Sequence, residues 1–240
     1  MNAKARHIGI VACSAEGAAL CYTTVCVEGA AMMGRHDHPE VSMHTHSLAE
    51  YMNCIYAGNW QGVADLMLSS AGKLAKTGAD FLICPDNTIH HVMPLVRPHS
   101  PLPWLHIAEE VAAEALRRNF HKIGILGTRY LIGSEVYPEK LAERDIAWER
   151  PSEREREEIN RIIFDELVYG NIQPQSLSYF QQVIEALKRA GCDAVVLGCT
   201  EIPLLVNDAN SPLPTLDSTR LLARAALRHA IGQSESGPPA

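Results

Sequence analysis

Two short segments carry residues whose types and order could move a proton on and off carbon. The first is Cys84-Pro85-Asp86-Asn87-Thr88-Ile89-His90; the second is Leu197-Gly198-Cys199-Thr200-Glu201-Ile202-Pro203. At an offset of 113 residues Asp86 falls on Cys199 and Asn87 on Thr200. Each segment offers one proton-transfer group followed by a small hydrogen-bonding residue. Two such groups, opposed across one carbon, are what removing a proton from one face and returning one to the other requires. Asn87, Thr88 and Thr200 supply the amide, hydroxyl and backbone N–H groups that bind a carboxylate, and the same groups serve as helix caps. The pair is chemically uneven. Unperturbed Asp and Cys differ by roughly 4.6 pKa units, about 6 kcal/mol between Asp⁻/CysH and AspH/Cys⁻. Asp86 is therefore expected as the resting base and Cys199 as the acid. A buried Asp and a Cys at a helix N-terminus would narrow that gap.

The elements around these segments alternate short apolar runs with longer amphipathic stretches, the pattern of βα units and a parallel sheet. His7–Ala12, Asp80–Ile83, Lys122–Leu126 and Asp193–Leu197 read as strands covered on both faces. Helices are marked by Val63, Leu66, Met67 and Leu74, by Ile159, Ile162, Ile163 and Leu167, and by Phe180, Val183, Ile184 and Leu187. Ser152-x-x-Glu155 reads as a capping box, and Gly78 and Gly191 as helix stops. The chain also repeats itself. Ile8-Gly-Ile-Val11 returns as Ile123-Gly-Ile-Leu126, 115 residues on, and Leu74-x-x-x-Gly78-x-Asp80 returns as Leu187-x-x-x-Gly191-x-Asp193, 113 on. Two copies of one α/β unit account for both offsets. Ligands of parallel sheets bind beyond the carboxyl ends of the strands, where Asp86 and Cys199 lie. Two facing units would share one cleft.

Composition narrows the partners. The 240 residues are 47% hydrophobic and 20% charged, enough to bury a substantial core. A net charge of −7 argues against nucleic acid, and no apolar run reaches the ~18 residues needed to cross a bilayer. Seven cysteines without framework spacing fit a reducing compartment, and no signal peptide is read at the N-terminus, so a cytoplasmic protein is expected. The Pro/Gly-rich tail from Gly232 is expected to fray.

Leu197-Gly-Cys-Thr-Glu-Ile-Pro-Leu204 resembles the second-cysteine motif of the aspartate/glutamate racemase superfamily, and Pro85-x-Asn87-Thr88-x-His90 resembles its first-cysteine motif. Asp86 stands where the family usually has a cysteine, and Cys84 lies two positions earlier. Gly127-Thr128, Tyr137, a helix over 152–170 and Asp217 opening the last helix extend the resemblance from Ile8 to about Ala230. It implies an α/β protein of two similar parallel-sheet domains related by a pseudo-two-fold axis, over 1–105 with 217–240 and over 106–216. The last helix would return to the first half. It further implies a homodimer and cofactor-independent chemistry, catalytic Asp86 and Cys199, and a small carboxylate bound by Ser14, Asn87, Thr88, Thr128, Thr200 and Glu201. The first loop, Ala12-Cys13-Ser14, departs from the usual Gly-Gly-Met stretch. No Arg occurs between Arg35 and Arg97, and Gln173 stands where a lysine is often found, so an acidic substrate side chain is not expected.

Neither a phosphate-binding Gly-rich loop nor an obvious Schiff-base lysine is present, so no cofactor is expected. His36, His38, His44 and His46 are metal-ligand types, but no third ligand at helical spacing accompanies them, and strand-end roles are expected. Cys84 reads as a core residue ending its strand. The leading expectation is a racemase or epimerase acting at an α-carbon. Its alternatives are another reaction on a small carboxylic acid (decarboxylation, cis–trans isomerisation or elimination) or a silent binding protein.

Overall fold

The four apolar runs form strands in the computed structural model, which describes residues 5–233. The tail beyond Gln233, with its expected fraying, lies outside the described residues. In chain order the elements are β1 (Ile8–Ala12), α1 (Ala15–Met33), β2 (Val41–Thr45), α2 (Leu48–Tyr56), α3 (Trp60–Lys76), β3 (Phe81–Ile83), α4 (Met93–Val96) and α5 (Ile107–Arg117). They continue with β4 (Lys122–Leu126), α6 (Arg129–Ile132), α7 (Val136–Ala142), β5 (Ala147–Glu149), α8 (Glu153–Asp165) and α9 (Pro174–Arg189). The last are β6 (Ala194–Leu197), β7 (Thr215–Asp217) and α10 (Ser218–Ala230). The chain divides into two compact units, Met1–Ile107 with Thr219–Ala240, and Ala108–Ser218.

The first unit is built on a parallel sheet of order β2-β1-β3, with Ile8 paired to Val41 on one side and Phe81 on the other. All five residues of β1 are buried, because helices cover both faces of a parallel sheet. Ile8, Ile10, Phe81 and Ile83 pack with Cys21 and Val25 of α1 and with Leu222, Ala223 and Ala226 of α10. The last helix thus joins the core of the first unit, although the whole of the second unit separates the two in the chain.

The second unit is a parallel sheet of order β5-β4-β6-β7. Leu126, Val195 and Leu197 pack with Ile159, Ile162 and Ile163 of α8 and with Phe180, Val183, Ile184 and Leu187 of α9. The capping box forms as expected: Ser152 N–H donates to the Glu155 carboxylate at 2.7 Å, and the Ser152 hydroxyl accepts from Glu155 N–H at 3.4 Å. The helix it opens is shorter than the expected 152–170. It stops at Asp165, Glu166 leaves helical geometry at φ −124°, and Leu167–Tyr169 form a 3₁₀ turn closed by left-handed Gly170. Leu167 still reaches the core, which is why its apolar spacing reads as helix.

The repeat has a physical basis in both units. Gly78 and Gly191 each take φ 90°, a left-handed conformation that glycine adopts without strain. Each turn is closed by an N–H reaching back five residues, Ala79 to Leu74 O at 3.2 Å and Cys192 to Leu187 O at 3.0 Å. The next residue, an aspartate in both copies, latches the start of the central strand. Asp80 accepts from His7 N–H at 2.7 Å, and Asp193 accepts from His121 N–H at 2.7 Å and Lys122 N–H at 3.2 Å.

Candidate active site

Asp86 lies three residues beyond β3 and is half-buried. Its two carboxylate oxygens accept separate backbone hydrogen bonds, from Cys13 N–H and from Ser14 N–H, both at 3.1 Å. Ser14 is the N-cap of the 19-residue helix α1, its hydroxyl accepting from Gly17 N–H at 3.3 Å. The carboxylate therefore sits at the positive end of a long helix and bridges the loops after β1 and β3. Both the charge-assisted bonds and the helix field favour the anion. Asn87 is buried and Thr88 half-buried, at the start of a 3₁₀ turn over Thr88–Val92. His90 Nε2 donates to Cys84 O at 2.9 Å. Cys84 is fully buried, and burial, then the charge of Asp86, pushes its thiol well up. The same two causes push Cys21 up to about 12.

Cys199 lies two residues beyond β6 and is half-buried, while Thr200 and Glu201 are buried. Its Sγ donates to Glu201 Oε2 at 2.8 Å. Gly198 is required by the close approach of the backbones: a Cβ there would meet Leu126 O at 2.7 Å and Leu131 Cδ2 at 2.5 Å. Gly127 runs alongside, a Cβ on it standing 3.2 Å from Gly198 O, so the Thr128 loop adjoins the Cys199 loop. Thr128 is buried and caps α6, its hydroxyl accepting from Leu131 N–H at 3.4 Å. Ser14 and Thr128 are thus equivalent, each the N-cap of the helix after its unit's central strand. The Ser14 hydroxyl, accepting from Gly17 N–H, can also donate its own hydrogen.

One expectation fails here. The sequence places Cys199 at a helix N-terminus that would favour its thiolate. In the structure the next element is a three-residue 3₁₀ turn, Ile202–Leu204, with too few aligned peptides to make a useful dipole. The long helix falls to Asp86 instead, and the thiol faces a carboxylate. The two N–H groups favour the Asp86 anion, and a neighbouring carboxylate disfavours a Cys199 thiolate.

Residues 8–226 match the family model for Asp/Glu/Hydantoin racemases. The chain belongs to this family. It is 26% identical over 161 residues to the broad specificity amino-acid racemase RacX of Bacillus subtilis, covering 67% of this chain and 69% of that one. To the glutamate racemase of Thermus thermophilus it is 27% identical over 164 residues, covering 66% and 58% respectively, less than two thirds of that relative's length. Among solved structures it is similar to a protein from Yersinia pestis described as a proposed Asp/Glu racemase, at 31% identity, a TM-score of 0.88 and coverage of 94% and 99%. An aspartate racemase homologue from Pyrococcus horikoshii OT3 is similar at 26% identity, TM-score 0.81 and the same coverage. Such racemases are isomerases, and their two-domain α/β fold is the fold of this chain.

In this chain the histidine-rich segment makes ordinary contacts. Lys73 Nζ can only donate, so His44 Nε2 accepts from it at 3.0 Å and Nδ1 carries the proton toward Ser70 Oγ at 3.0 Å. His46 Nε2 lies 3.1 Å from Ser69 Oγ, and the two rings meet edge to face at 4.9 Å. Among the described residues no three His, Cys, Asp or Glu form a group that could hold a metal ion. The residue that sequence reasoning misses is Cys13, which acts through its backbone N–H. No side-chain pattern signals such a role. The Glu201–Cys199 hydrogen bond has a signal in the two-residue spacing, although the motif points Glu201 toward substrate.

Proposed function

We propose that the protein is a cofactor-independent racemase or epimerase acting at the α-carbon of an amino acid or related small carboxylate. What supports this reading is the setting of the two groups that follow β3 and β6: a carboxylate that accepts two backbone N–H groups and a thiol in hydrogen-bond contact with a carboxylate. In the proposed step the Cα–H bond breaks, Asp86 takes the proton, and the electron pair is delocalised into the substrate carboxylate. The Cys199 S–H bond then breaks as a new Cα–H bond forms on the opposite face, leaving a thiolate. Asn87, Thr88 and Thr200, with Ser14 and Thr128, would hold the substrate carboxylate. The racemase names of the relatives support the reaction class, and the breadth of the Bacillus enzyme supports an amino-acid substrate.

The inequality of the pair favours one second reading. A base already charged and an acid already protonated suit a one-way reaction on a small carboxylic acid as well as they suit racemisation, which must also run from AspH/Cys⁻. A panel of L- and D-amino and hydroxy acids in D₂O separates the two. Racemisation gives solvent deuterium at the α-carbon and both enantiomers from either one. A new product without enantiomer interconversion establishes the one-way reaction, and a panel that yields neither exchange nor a new product with any member removes both.

The same reading takes the protein as a cytoplasmic homodimer. Seven cysteines without the spacing of a disulfide framework support a reducing compartment. The solvent face of α1 supports association: Tyr22, Thr23, Cys26, Val27 and Ala30 form an uncharged stripe at helical spacing, Val27 being 67% exposed. Light scattering after size exclusion tests the dimer, and a monomer at micromolar concentration removes it.

A further inference from the structure

Glu201 is buried, 6% exposed, and its side chain meets the Cys199 thiol. Its own backbone is fixed by the turn it begins, with Leu204 N–H donating to Glu201 O at 3.0 Å and Ile202 N–H donating to Cys199 O at 3.2 Å. Such a group is poorly suited to the substrate-binding role that the resemblance implies, because a buried carboxylate repels a substrate carboxylate. Its position suits the thiol. Ionising Cys199 would place two anions within hydrogen-bond distance, and a like charge this close disfavours the thiolate.

We propose that Glu201 is a positioning residue for Cys199, directing the S–H bond and keeping the sulfur protonated until a carbanion takes the proton. This rests on the reading of Cys199 as the acid. When the S–H bond breaks and the substrate C–H bond forms, the thiolate left beside Glu201 is unfavourable and regains a proton from solvent, which restores the acid for the next turnover. Other titratable groups at this end of the second unit include Asp217, the register partner of Leu197, and Tyr137, whose ring lies 3.7 Å from where a Cβ on Gly198 would stand. Tyr179 packs against the same core cluster as Cys199, and Arg129 and Tyr130 come next after Thr128. Burial raises the Tyr137 phenol well above its ordinary range, so it stays neutral. Asp217 adds negative charge in the same sense, and it is unchanged by substitution at Glu201.

The test is the pH dependence of Cys199 alkylation by iodoacetamide in the full chain, without substrate. Peptide mapping is needed because Cys26 and Cys54 are also partly exposed. In the native protein the midpoint should lie above the ~8.5 of an ordinary thiol. Glu201→Gln should lower it by about one pH unit or more, a tenfold or greater rise in alkylation rate near neutral pH. Glu201→Asp, which keeps the charge, should stay near the native midpoint. A Gln midpoint equal to or above the native one overturns the proposal, as does a native midpoint below that of an ordinary thiol. The native measurement decides alone if the Gln variant does not fold. Because no substrate is used, a failed D₂O panel leaves this assay standing, and the two readings fail separately.

Discussion

Replacing Asp86 by asparagine tests both of the roles given to its carboxylate. Each oxygen accepts one backbone N–H at 3.1 Å, from Cys13 and Ser14. Hydrogen bonds to a charged group contribute about 1.5–3 kcal/mol each. Asparagine has a single carbonyl oxygen, so it keeps one of these bonds in neutral form and turns an NH₂ toward the other N–H. The site is half-buried, and the net loss should be about 2–4 kcal/mol. For a chain of this size that lowers Tm by roughly 5–15 °C. Circular dichroism melts measure this first. α-Proton exchange in D₂O is then measured well below the lowered Tm, and should fall by about a hundredfold to ten-thousandfold, the usual contribution of a general base. A Tm within about 2 °C of the parent would refute the bridging carboxylate. A folded variant that exchanges within about tenfold of the parent would refute Asp86 as the base, a contribution that small being below what a general base supplies. Asp86→Cys should be less stable still, since a shorter thiol serves neither N–H well. If the reaction is racemisation, it should retain measurable activity with a more alkaline optimum, because a thiolate must then form.

Cys199→Ala should abolish turnover with the fold intact by circular dichroism, and retention of activity within about tenfold removes it as the acid. Cys84→Ala, a small truncation at a fully buried site, should cost about 1 kcal/mol and spare activity; a folded but dead variant would move the first proton-transfer group two residues upstream. Gly198→Ala forces a methyl to 2.7 Å from Leu126 O, so it should cost roughly 1–3 kcal/mol and lower turnover by displacing Cys199, as melts and exchange rates will report. Activity should survive dialysis against EDTA. Recovery only on adding a divalent ion would shift attention to His44 and His46.

The sheet scaffold is legible in the sequence because its signals are local. β1 and β6 are runs of buried residues, β4 is buried beyond Lys122, and Gly78 and Gly191 mark turns whose φ of 90° few other residues tolerate. β5 and β7 carry no such signal. They are three residues each and are held by pairing to a neighbour rather than by any pattern of their own. The premature end of α8 is hidden for a related reason. Leu167 keeps its place in the core from a 3₁₀ turn, so apolar periodicity continues after the helix has stopped.

The site divides along the same line. Residue types and the 113-residue offset are enough to pick out Asp86 and Cys199, because the chemistry of a carboxylate and a thiol is intrinsic and a repeat is visible in one dimension. Which protonation state each group prefers is not contained in those types. It depends on which dipoles and charges surround the group, and these come from distant parts of the chain or from local geometry that propensity does not resolve. Asp86 gains the N-terminus of α1 from residues 72 and 73 positions earlier. Cys199 loses its expected helix because residues 202–204 turn too tightly, and gains Glu201 instead. The sequence alone picks out the candidate acid and base; the tertiary structure sets their surroundings, because an electrostatic field is a property of positions in space.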